Sequence, residues 1–377
     1  MAAVQTALVV GGGASGAATA ILLAEAGVSV DLVEIQPAVT ALGSGITLQG
    51  NALRVFRKLG VLDECLELGY AFDRLQMRQA GPEATVFATV QGTRSGGPDL
   101  PSTMGMYRPD LARILMTRAE AVGAKLRFGI TVETLDQDND GVDVSFSDGS
   151  TGRYEVVIGA DGIRSKVREL LGFTLVEQPT GLGIWRVFAT KPAGVTGADL
   201  FYGGAHCLYS GYTPTSDTTL YAHITEDAQD RSGLSGVEQV QLVRELSQDF
   251  FGPWAEIRDS LEDSSQVNYT KITTHLLPAP WNTGRVVVIG DAAHTCPPTI
   301  AQGAAMALED ASVITDLLVN KNSVDDVLWA EFAQRRYERV KVVVECSHQL
   351  ALWWRDRVQG DVPGVIGRVA KLVAQPE

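Results

Sequence analysis

The feature that most constrains this chain is a glycine-rich turn close to its N-terminus. An apolar run over residues 6–10 leads into Gly11-Gly12-Gly13-Ala14-Ser15-Gly16, and an Ala- and Leu-rich segment over residues 17–26 follows. A β-rich run over residues 28–34 then ends at Glu34. Strand, glycine turn, helix and strand in this order predict a βαβ unit of the kind that binds a dinucleotide. Glu34 is placed to accept hydrogen bonds from ribose hydroxyls.

The glycines of this turn have separate tasks. Gly11, Gly13 and Gly16 match the pattern G-x-G-x-x-G. The first permits a tight turn, the second lets a pyrophosphate approach the backbone, and the third lets the helix pack on the strand. The helix start, at Ala14 and Ser15, offers free N–H groups and a positive dipole end to the phosphates. The alternative is a glycine-rich turn with an incidental acid, and the flanking strands and helix favour binding.

Composition narrows the class of protein further. A length of 377 residues suits two domains, or one large domain with an insertion. A net charge of −14 argues against a nucleic-acid partner, because phosphate backbones require a basic surface.

No membrane span and no basic signal region is present, so we expect a cytoplasmic protein without a membrane role. The four cysteines lack C-x-x-C or metal spacing, so we expect reduced, buried thiols and no metal site.

The rest of the sequence predicts an α/β protein with a second sheet inserted into the first domain. Periodicity and capping residues predict helices over residues 51–60, 109–122, 235–250, 303–319 and 325–350. Aromatic-rich segments over residues 183–190, 198–210 and 218–225 predict a mostly antiparallel sheet. We expect a discontinuous cofactor domain from residues 1–75, 104–175 and 276–325. We expect a substrate domain from residues 76–103 and 176–275, and a C-terminal helical segment over residues 326–377.

Two further motifs indicate a family. Residues 156–164 read Val-Val-Ile-Gly-Ala-Asp-Gly-Ile-Arg, and residues 288–294 read Val-Ile-Gly-Asp-Ala-Ala-His. The second motif continues through two prolines into Ala-Gln-Gly-Ala at residues 301–304 and Leu-Glu-Asp-Ala at residues 308–311. Together with the first glycine turn, these segments closely resemble the single-component flavoprotein aromatic hydroxylases, the p-hydroxybenzoate hydroxylase-like monooxygenases. The resemblance covers about residues 5–345 and is strongest to short members that act on small aromatic or pyridine rings.

The resemblance implies a Rossmann-like FAD-binding domain with an inserted, mostly antiparallel substrate sheet and C-terminal helices. Asp291 would bind a ribityl or ribose hydroxyl, and Arg108 would contact the flavin. Other residues in matching positions would lie beside the cofactor: Gly45 and Ile46 in the loop that begins at Gly43, Asp161 and Gly162, and Pro298, Gln302, Gly303 and Ala304. The sequence departs from the family at Ala301, where glycine is common, and at Ala41, where arginine is frequent.

The resemblance also implies an enzymatic reaction. NADH or NADPH would bind transiently and reduce a tightly bound FAD, and O2 would then form a C4a-hydroperoxide that hydroxylates a phenol- or pyridine-type ring. The protein would exclude water from the cleft. Epoxidation or Baeyer–Villiger oxygenation on the same fold, and a flavin-binding protein without turnover, remain alternatives. The chain would work as a monomer or homodimer.

Candidates for substrate contact lie in the inserted sheet. They are Arg186, His206, Tyr209, Tyr221 and His223, with Trp185 and Tyr212 nearby. Alternation along a strand puts Tyr221 and His223 on one face, and Cys207 with Tyr209 on one face. The sequence does not tell which face meets the flavin. We interpret His294 as structural, Glu309 and Asp310 as helix-capping or solvated, and the Trp353-Trp354 segment as a helical arm or dimer contact.

Overall fold

The structure is a computed structural model that describes residues 2–39 and 44–377. Ala41 and Gly43, named above, lie outside the described residues. The strands are β1 (Thr6–Val10), β2 (Ser29–Glu34), β3 (Gly45–Gln49), β4 (Tyr70–Phe72), β5 (Arg74–Gln79), β6 (Val86–Gln91), β7 (Thr103–Tyr107), β8 (Lys125–Phe128), β9 (Val132–Gln137), β10 (Val142–Phe146), β11 (Thr151–Tyr154), β12 (Val156–Gly159), β13 (Gln178–Thr190), β14 (Ala198–Tyr202), β15 (Tyr209–Pro214), β16 (Thr219–Asp227), β17 (Val267–Leu276), β18 (Asn282–Thr283), β19 (Val286–Val288) and β20 (His294–Thr295). The α-helices are α1 (Ala14–Glu25), α2 (Gly50–Lys58), α3 (Leu62–Leu68), α4 (Arg108–Ala121), α5 (Lys166–Leu170), α6 (Gly236–Leu246), α7 (Pro253–Asp259), α8 (Gly303–Asn320), α9 (Asp326–Asp356) and α10 (Val362–Val373).

The predicted βαβ unit is present and begins a six-stranded sheet. Its strand order is β18-β19-β12-β1-β2-β8, parallel throughout except for the edge strand β18. β12 and β19 are entirely buried, and β1 is buried from its second residue onward. Such apolar runs are typical of parallel strands that are covered on both faces.

Close backbone packing explains two glycines of the first turn. Gly11 has φ +104°, and a Cβ on it would lie 2.4 Å from the carbonyl oxygen of Ala160. A Cβ on Gly16 would lie only 1.9 Å from the carbonyl oxygen of Gly11. Because neither contact is tolerable, α1 reaches its position on the sheet only with glycine at both places.

The inserted sheet has eight strands in the order β20-β17-β13-β16-β15-β14-β5-β6. All its pairs are antiparallel except β14 with β5. Helices α6 and α7 cover one face, where Trp185, Tyr212 and Trp254 are buried. A small third sheet, β3-β7-β4, meets the opposite face so closely that a Cβ on Gly105 would lie 1.9 Å from the carbonyl oxygen of Pro214.

The predicted single strand over residues 198–210 is wrong. β14 ends at Tyr202 and β15 begins at Tyr209, and the two form an antiparallel hairpin. Gly203, at φ +87°, turns the chain out of the first strand. Cys207 therefore lies in the hairpin loop, and strand alternation does not relate it to Tyr209.

The limits of the two domains remain a prediction. The strand order shows which parts of the chain belong to the large inserted sheet. Strands of the large sheet come from residues 74–91, 178–227 and 267–276. Its edge strand β20 comes from residues 294–295, which lie within the stretch predicted for the cofactor domain. The polypeptide thus crosses between the two large sheets repeatedly, and distant parts of the sequence meet where the sheets approach each other. We call the region around Arg108, Asp291, Arg186 and Tyr221 the cleft.

The C-terminal helices fasten the two sheets together. The 31-residue helix α9 packs on α8 and reaches β13 and β17 of the large sheet. After α10 the chain returns to α2, where Arg54 Nη2 lies 2.9 Å from Glu377 Oε2. None of the helices in the described ranges combines the length and apolar character required to cross a bilayer.

Glu309 and Asp310, which we interpreted as capping or solvated residues, are fully buried. Glu309 accepts hydrogen bonds from Arg336 at 2.8 Å and Arg339 at 2.7 Å, and Asp310 accepts one from Arg336 at 2.7 Å. Burial opposes ionisation of Asp310, but the charges of His294 and Arg336 lower its pKa below the ordinary value. The interpretation failed because α8 is buried on almost every side, so both carboxylates face protein and require cationic partners.

Replacing Arg336 with Met should destabilise the fold severely, because it leaves two buried carboxylates without their shared cation. We expect a loss of about 3–5 kcal/mol in the free energy of unfolding, measured by urea unfolding followed by circular dichroism. Arg335→Met is the matched control, since Arg335 forms a partly exposed pair with Asp316. It should lose no more than about 1 kcal/mol. Equal losses in the two variants would contradict the importance of the buried cluster.

Candidate functional site

The first glycine turn opens onto a cavity of about 250 Å³. Glu34, at the end of β2, forms part of its wall, and Glu34 Oε2 accepts a hydrogen bond from the Gly12 N–H at 2.6 Å. Among the described residues, no side chain caps the start of α1, and no atom lies within 4 Å of the position of a Cβ on Gly13. Free N–H groups at a helix start beside open space form a cradle suited to phosphate.

A second turn, at residues 290–292, docks against this cradle. Gly290 has φ +58°, and a Cβ there would lie 2.8 Å from Ser15 Oγ, so the two motifs are in direct contact. Asp291 remains accessible to solvent, although protein atoms surround its carboxylate closely. This enclosure raises its pKa, while the charges of His294 and Arg108 oppose the rise.

Arg108 extends from the start of α4 into the same cleft. Its backbone N–H donates to the carbonyl oxygen of Ser44 at 3.0 Å, and its Nε donates to that of Gly45 at 3.1 Å. Burial and the charge of Arg186 lower the pKa of Arg108, while Tyr221 and Asp291 oppose this shift. Arg108 is therefore electrostatically coupled both to the second turn and to the large sheet.

A third turn precedes α8. Ala301 has φ +52° and ψ 40°, the left-handed region that favours glycine, which explains why the family commonly has glycine here. The Gln302 side chain exchanges two hydrogen bonds with Asn51, at 3.0 and 3.2 Å. Within the described ranges no side chain caps α8, so the N–H groups of its first turn, at Gly303 and Ala304, are left for other acceptors. Pro298 lies exposed in the short 3₁₀ turn ahead of it.

Asp161 and Gly162 follow β12 at the same end of the parallel sheet. Asp161 accepts hydrogen bonds from the Ser165 hydroxyl at 2.5 Å and from the Val167 N–H at 3.0 Å. Burial raises its pKa despite these bonds. The carboxylate thus closes its own turn and the start of α5. Gly162, at φ +80°, allows the reversal.

The large sheet turns four candidate side chains toward the cleft. Strand register aligns Arg186 with His223, which pairs in turn with Gly211 on β15. Tyr221 lies on the same face, since its ring is 5.9 Å from that of His223 and its Cβ lies 2.2 Å from where a Cβ on Gly45 would be. Tyr209 completes the group with its ring 5.7 Å from that of His223.

The remaining candidates lie elsewhere. Trp185 and Tyr212 point to the opposite face, beneath α6 and α7. His206 is exposed in the β14–β15 loop, with Nδ1 2.7 Å from Asp249 Oδ2 and Nε2 2.6 Å from Gln248 Nε2. Strand alternation could not assign these residues, because it tells which side chains share a face and not what that face meets.

Several residues of the cleft were not identified from the sequence. Phe188 lies two positions after Arg186 on β13, and its ring stacks on Tyr107 at 4.3 Å. Thr270 accepts a hydrogen bond from Arg186. Alternation from Arg186 could have identified Phe188, whereas Asn51, the partner of Gln302, lies on a distant helix and carries no sequence signal.

Comparison with known proteins agrees with this geometry. The family described as "FAD binding domain" matches residues 4–347. The chain is 31% identical over 348 residues to 6-hydroxynicotinate 3-monooxygenase of Bordetella bronchiseptica, covering 90% of each chain. It belongs to the FAD-dependent aromatic monooxygenase family. A putative FAD-dependent monooxygenase of Bacillus subtilis, YetM, is 29% identical over 364 residues and 95% of each chain.

Solved structures agree as well. The tetrameric form of 2-methyl-3-hydroxypyridine-5-carboxylic acid oxygenase superposes with a TM-score of 0.81 at 25% identity, covering 97% of this chain and 96% of that one. The present chain is therefore an FAD-dependent monooxygenase, and its three turns suit that cofactor. Gly13 and Glu34 line one cavity, and the turn that carries Asp291 contacts the first glycine turn through Gly290 and Ser15.

Substituting Gly13 with Val should abolish FAD binding while preserving the fold. The Gly13 backbone, at φ −69° and ψ −178°, suits any residue, so the added side chain fills only the open space over the turn. We expect the purified variant to lack the yellow flavin absorbance yet unfold within a few degrees of the apoprotein. Gly194→Val is the control, because a Cβ at that exposed loop glycine also meets no atom of the described chain within 4 Å. A yellow Gly13→Val protein would show that the phosphates lie elsewhere.

Substituting Ala301 with Gly should stabilise the third turn. The left-handed conformation disfavours alanine by roughly 1–2 kcal/mol, and the greater backbone entropy of unfolded glycine offsets part of this gain. We expect the free energy of unfolding to rise by up to about 1 kcal/mol, measured by urea unfolding of the apoprotein. Ala330→Gly, on the exposed side of α9, should lower it by about 1 kcal/mol. A loss of stability in both variants would contradict the strain at Ala301.

Proposed function

We propose that this enzyme uses NAD(P)H and O2 to hydroxylate a small aromatic or N-heteroaromatic ring held between the cofactor turns and the large sheet. The observation that carries the proposal is the position of Arg108, which donates to the Gly45 carbonyl oxygen where Gly45 packs against Tyr221 of the large sheet. The charges of Arg186 and Asp291 also act on Arg108. Two similar proteins support a pyridine-type ring, since one is a monooxygenase of 6-hydroxynicotinate and the other an oxygenase of 2-methyl-3-hydroxypyridine-5-carboxylic acid.

FAD would lie along the wall formed by the three turns. Its adenosine ribose would reach Glu34, its phosphates the turn at Gly13, and its ribityl chain Asp291. The flavin ring would lie beside Arg108 and the start of α8. The full proposed set is Gly11, Gly13, Ala14, Ser15, Gly16, Glu34, Gly45, Ile46, Arg108, Asp161, Gly162, Asp291, Pro298, Gln302, Gly303 and Ala304. When bound, the flavin supplies electron transfer from the nicotinamide and reductive activation of O2.

His223 is the proposed proton acceptor for a ring hydroxyl. Burial, together with the charge of Arg186, lowers the pKa of His223 to about 4, so its imidazole is neutral at physiological pH. A neutral imidazole of this pKa is a weak base. It can accept a hydrogen bond from the ring hydroxyl and take the proton as that hydroxyl becomes more acidic during oxygenation. Burial raises the pKa of Tyr209, so its hydroxyl stays protonated and is not a candidate for the base.

Arg186 and the stacked rings would orient the substrate. The Arg186 guanidinium can bind a carboxylate or phenolate on the ring. The stack of Phe188 on Tyr107 closes one side of the cleft with apolar surface, which limits water beside the reacting atoms. His206 has no part in this arrangement, because its ring is bonded to Asp249 at the surface.

The test is stimulation of nicotinamide oxidation by ring compounds. Holoenzyme is mixed with NADH or NADPH under air, with salicylate, 4-hydroxybenzoate or 6-hydroxynicotinate added, and products are identified by mass spectrometry. We expect at least one compound to speed oxidation and gain one oxygen atom. A flavin-loaded protein that oxidises neither nucleotide, with or without these compounds, would contradict the proposal and favour a non-catalytic flavin protein.

Replacing His223 with Phe should lower kcat/KM for the stimulating hydroxy-aromatic by about 10²–10⁴, because the proton acceptor is lost. A nitro-substituted analogue, already ionised at neutral pH, should recover much of the rate. His206→Phe is the control: any loss there should be equal for the two substrates, since that ring is bonded to Asp249 and Gln248 outside the cleft and takes no proton from the ring hydroxyl. A His223→Phe enzyme with unchanged kcat/KM, or equal loss for both substrates, would remove His223 from this role.

A further inference from the structure

A second cavity, of about 350 Å³, lies where the end of α9 meets the loop between β14 and β15. Its lining includes Tyr202, Leu208, Tyr209, Trp353, Trp354 and Val358. Small-molecule sites have volumes of this order, and the aromatic rings of this cavity are accompanied by the polar side chains of His206, Glu226 and Arg357. The residues of the three cofactor turns do not contribute to it.

Tyr209 and Trp354 form the wall between this cavity and the cleft. Their rings lie 4.3 Å apart at an interplanar angle of 53°, and both line the cavity. Beyond Tyr209 the ring of His223 follows at 5.7 Å, and then that of Tyr221 at 5.9 Å from His223. Four aromatic rings thus lead in an unbroken row from the cavity to the side chains that face the cofactor turns.

Trp354, the half of this wall that lies on α9, is in the last turn of the helix, which is attached to the sheet differently from the turn before it. One turn before Trp354, Ala351 is fully buried against Leu182 and Ile184, which fixes α9 on the sheet. Past Trp354 the chain leaves the helix through Arg357, whose link to β16 is a surface ion pair with Asp227 at 3.0 Å. Arg355 adds a hydrogen bond to the Thr180 carbonyl oxygen at 3.3 Å. Because exposed ion pairs contribute little to stability, we infer that these polar contacts hold the last turn of α9 less firmly than apolar packing holds the turn before it.

We propose that this cavity is the access subsite for the ring substrate and that Trp354, packed on Tyr209, is the gate between it and the cleft. The occupant is a planar aromatic or N-heteroaromatic ring, which packs against the ring surfaces that Tyr209 and Trp354 present to the cavity. The inference rests on the proposed function, because it supplies the route by which that substrate reaches His223.

Reversible obstruction of the cavity tests the gate. Val358 lines the cavity and is 52% exposed, so Val358→Cys can be capped with thionitrobenzoate through a mixed disulfide. Val327→Cys, 68% exposed at the start of α9, is the matched control. Wild-type protein treated alike controls for the half-buried native Cys296. Association of 6-hydroxynicotinate, salicylate and 4-hydroxybenzoate with each holoenzyme is followed by stopped-flow flavin absorbance.

Capping at position 358 should slow both association and dissociation of the ligand at least roughly tenfold, with Kd nearly unchanged, because a route is blocked and the bound state is not. Removing the cap with dithiothreitol should restore both rates, and capped Val327→Cys should match wild type. Trp354→Ala should accelerate both rates several-fold, whereas Trp354→Phe, which keeps a ring against Tyr209, should not.

Wild-type association rates in capped Val358→Cys would overturn the access route. Lost affinity with an unchanged association rate would also overturn it, and would mark the cavity as a separate ligand site. If none of the three ring compounds perturbs the flavin of the uncapped holoenzyme, the proposed function fails and this inference falls with it. The two failures are distinguishable, because only the second is seen before any cap is attached.

Discussion

Two adjacent carboxylates on one buried helix hold the parts of this molecule together. Asp310 accepts from the Gly290 N–H at 3.0 Å and from His294 at 2.7 Å, which fixes the second cofactor turn. Glu309 accepts from Asn51 at 2.9 Å, and Asn51 in turn pairs with the Gln302 side chain of the third turn. Buried charges are destabilising unless paired, and Arg336 contacts both carboxylates, while Arg339 is a second partner of Glu309. One charge cluster thereby sets the spacing between two turns that are distant from the first glycine motif in sequence.

With the turns fixed, the chemistry of the cleft follows from what surrounds each polar group. Two glycines let the small sheet approach the large one, Gly105 against the Pro214 backbone and Gly45 against the Tyr221 side chain. The charges of Arg186 and Tyr221 act on Arg108 at this contact, and burial with the charge of Arg186 lowers the pKa of His223 to about 4. The cleft therefore combines cations that can hold an anionic ring with an imidazole that is uncharged at neutral pH.

The sequence was informative where structure is local. The strand, glycine turn and helix at residues 6–26 were predictable because each step depends on neighbouring residues, and three spaced motifs indicated the family. Predictions failed where the role of a residue depends on parts of the chain that are distant in sequence. Glu309 and Asp310 look like surface acids until Arg336 on the next helix is placed beside them. Alternation grouped Tyr221 with His223 correctly, yet only the packing of β3 shows which way that face turns. The run over residues 198–210 was read as one strand because hydropathy does not reveal a hairpin at Gly203.

The central claim is that one FAD spans the first glycine turn and the turn that carries Asp291. Equilibrium titration of the apoprotein with FAD and, separately, with ADP tests it directly. For Asp291→Ala we expect FAD affinity to fall about 10–100-fold while ADP affinity stays within about twofold, since ADP does not reach that turn. Glu34→Ala should weaken both ligands. Unchanged FAD affinity in Asp291→Ala, or an equal loss for FAD and ADP, would contradict the account.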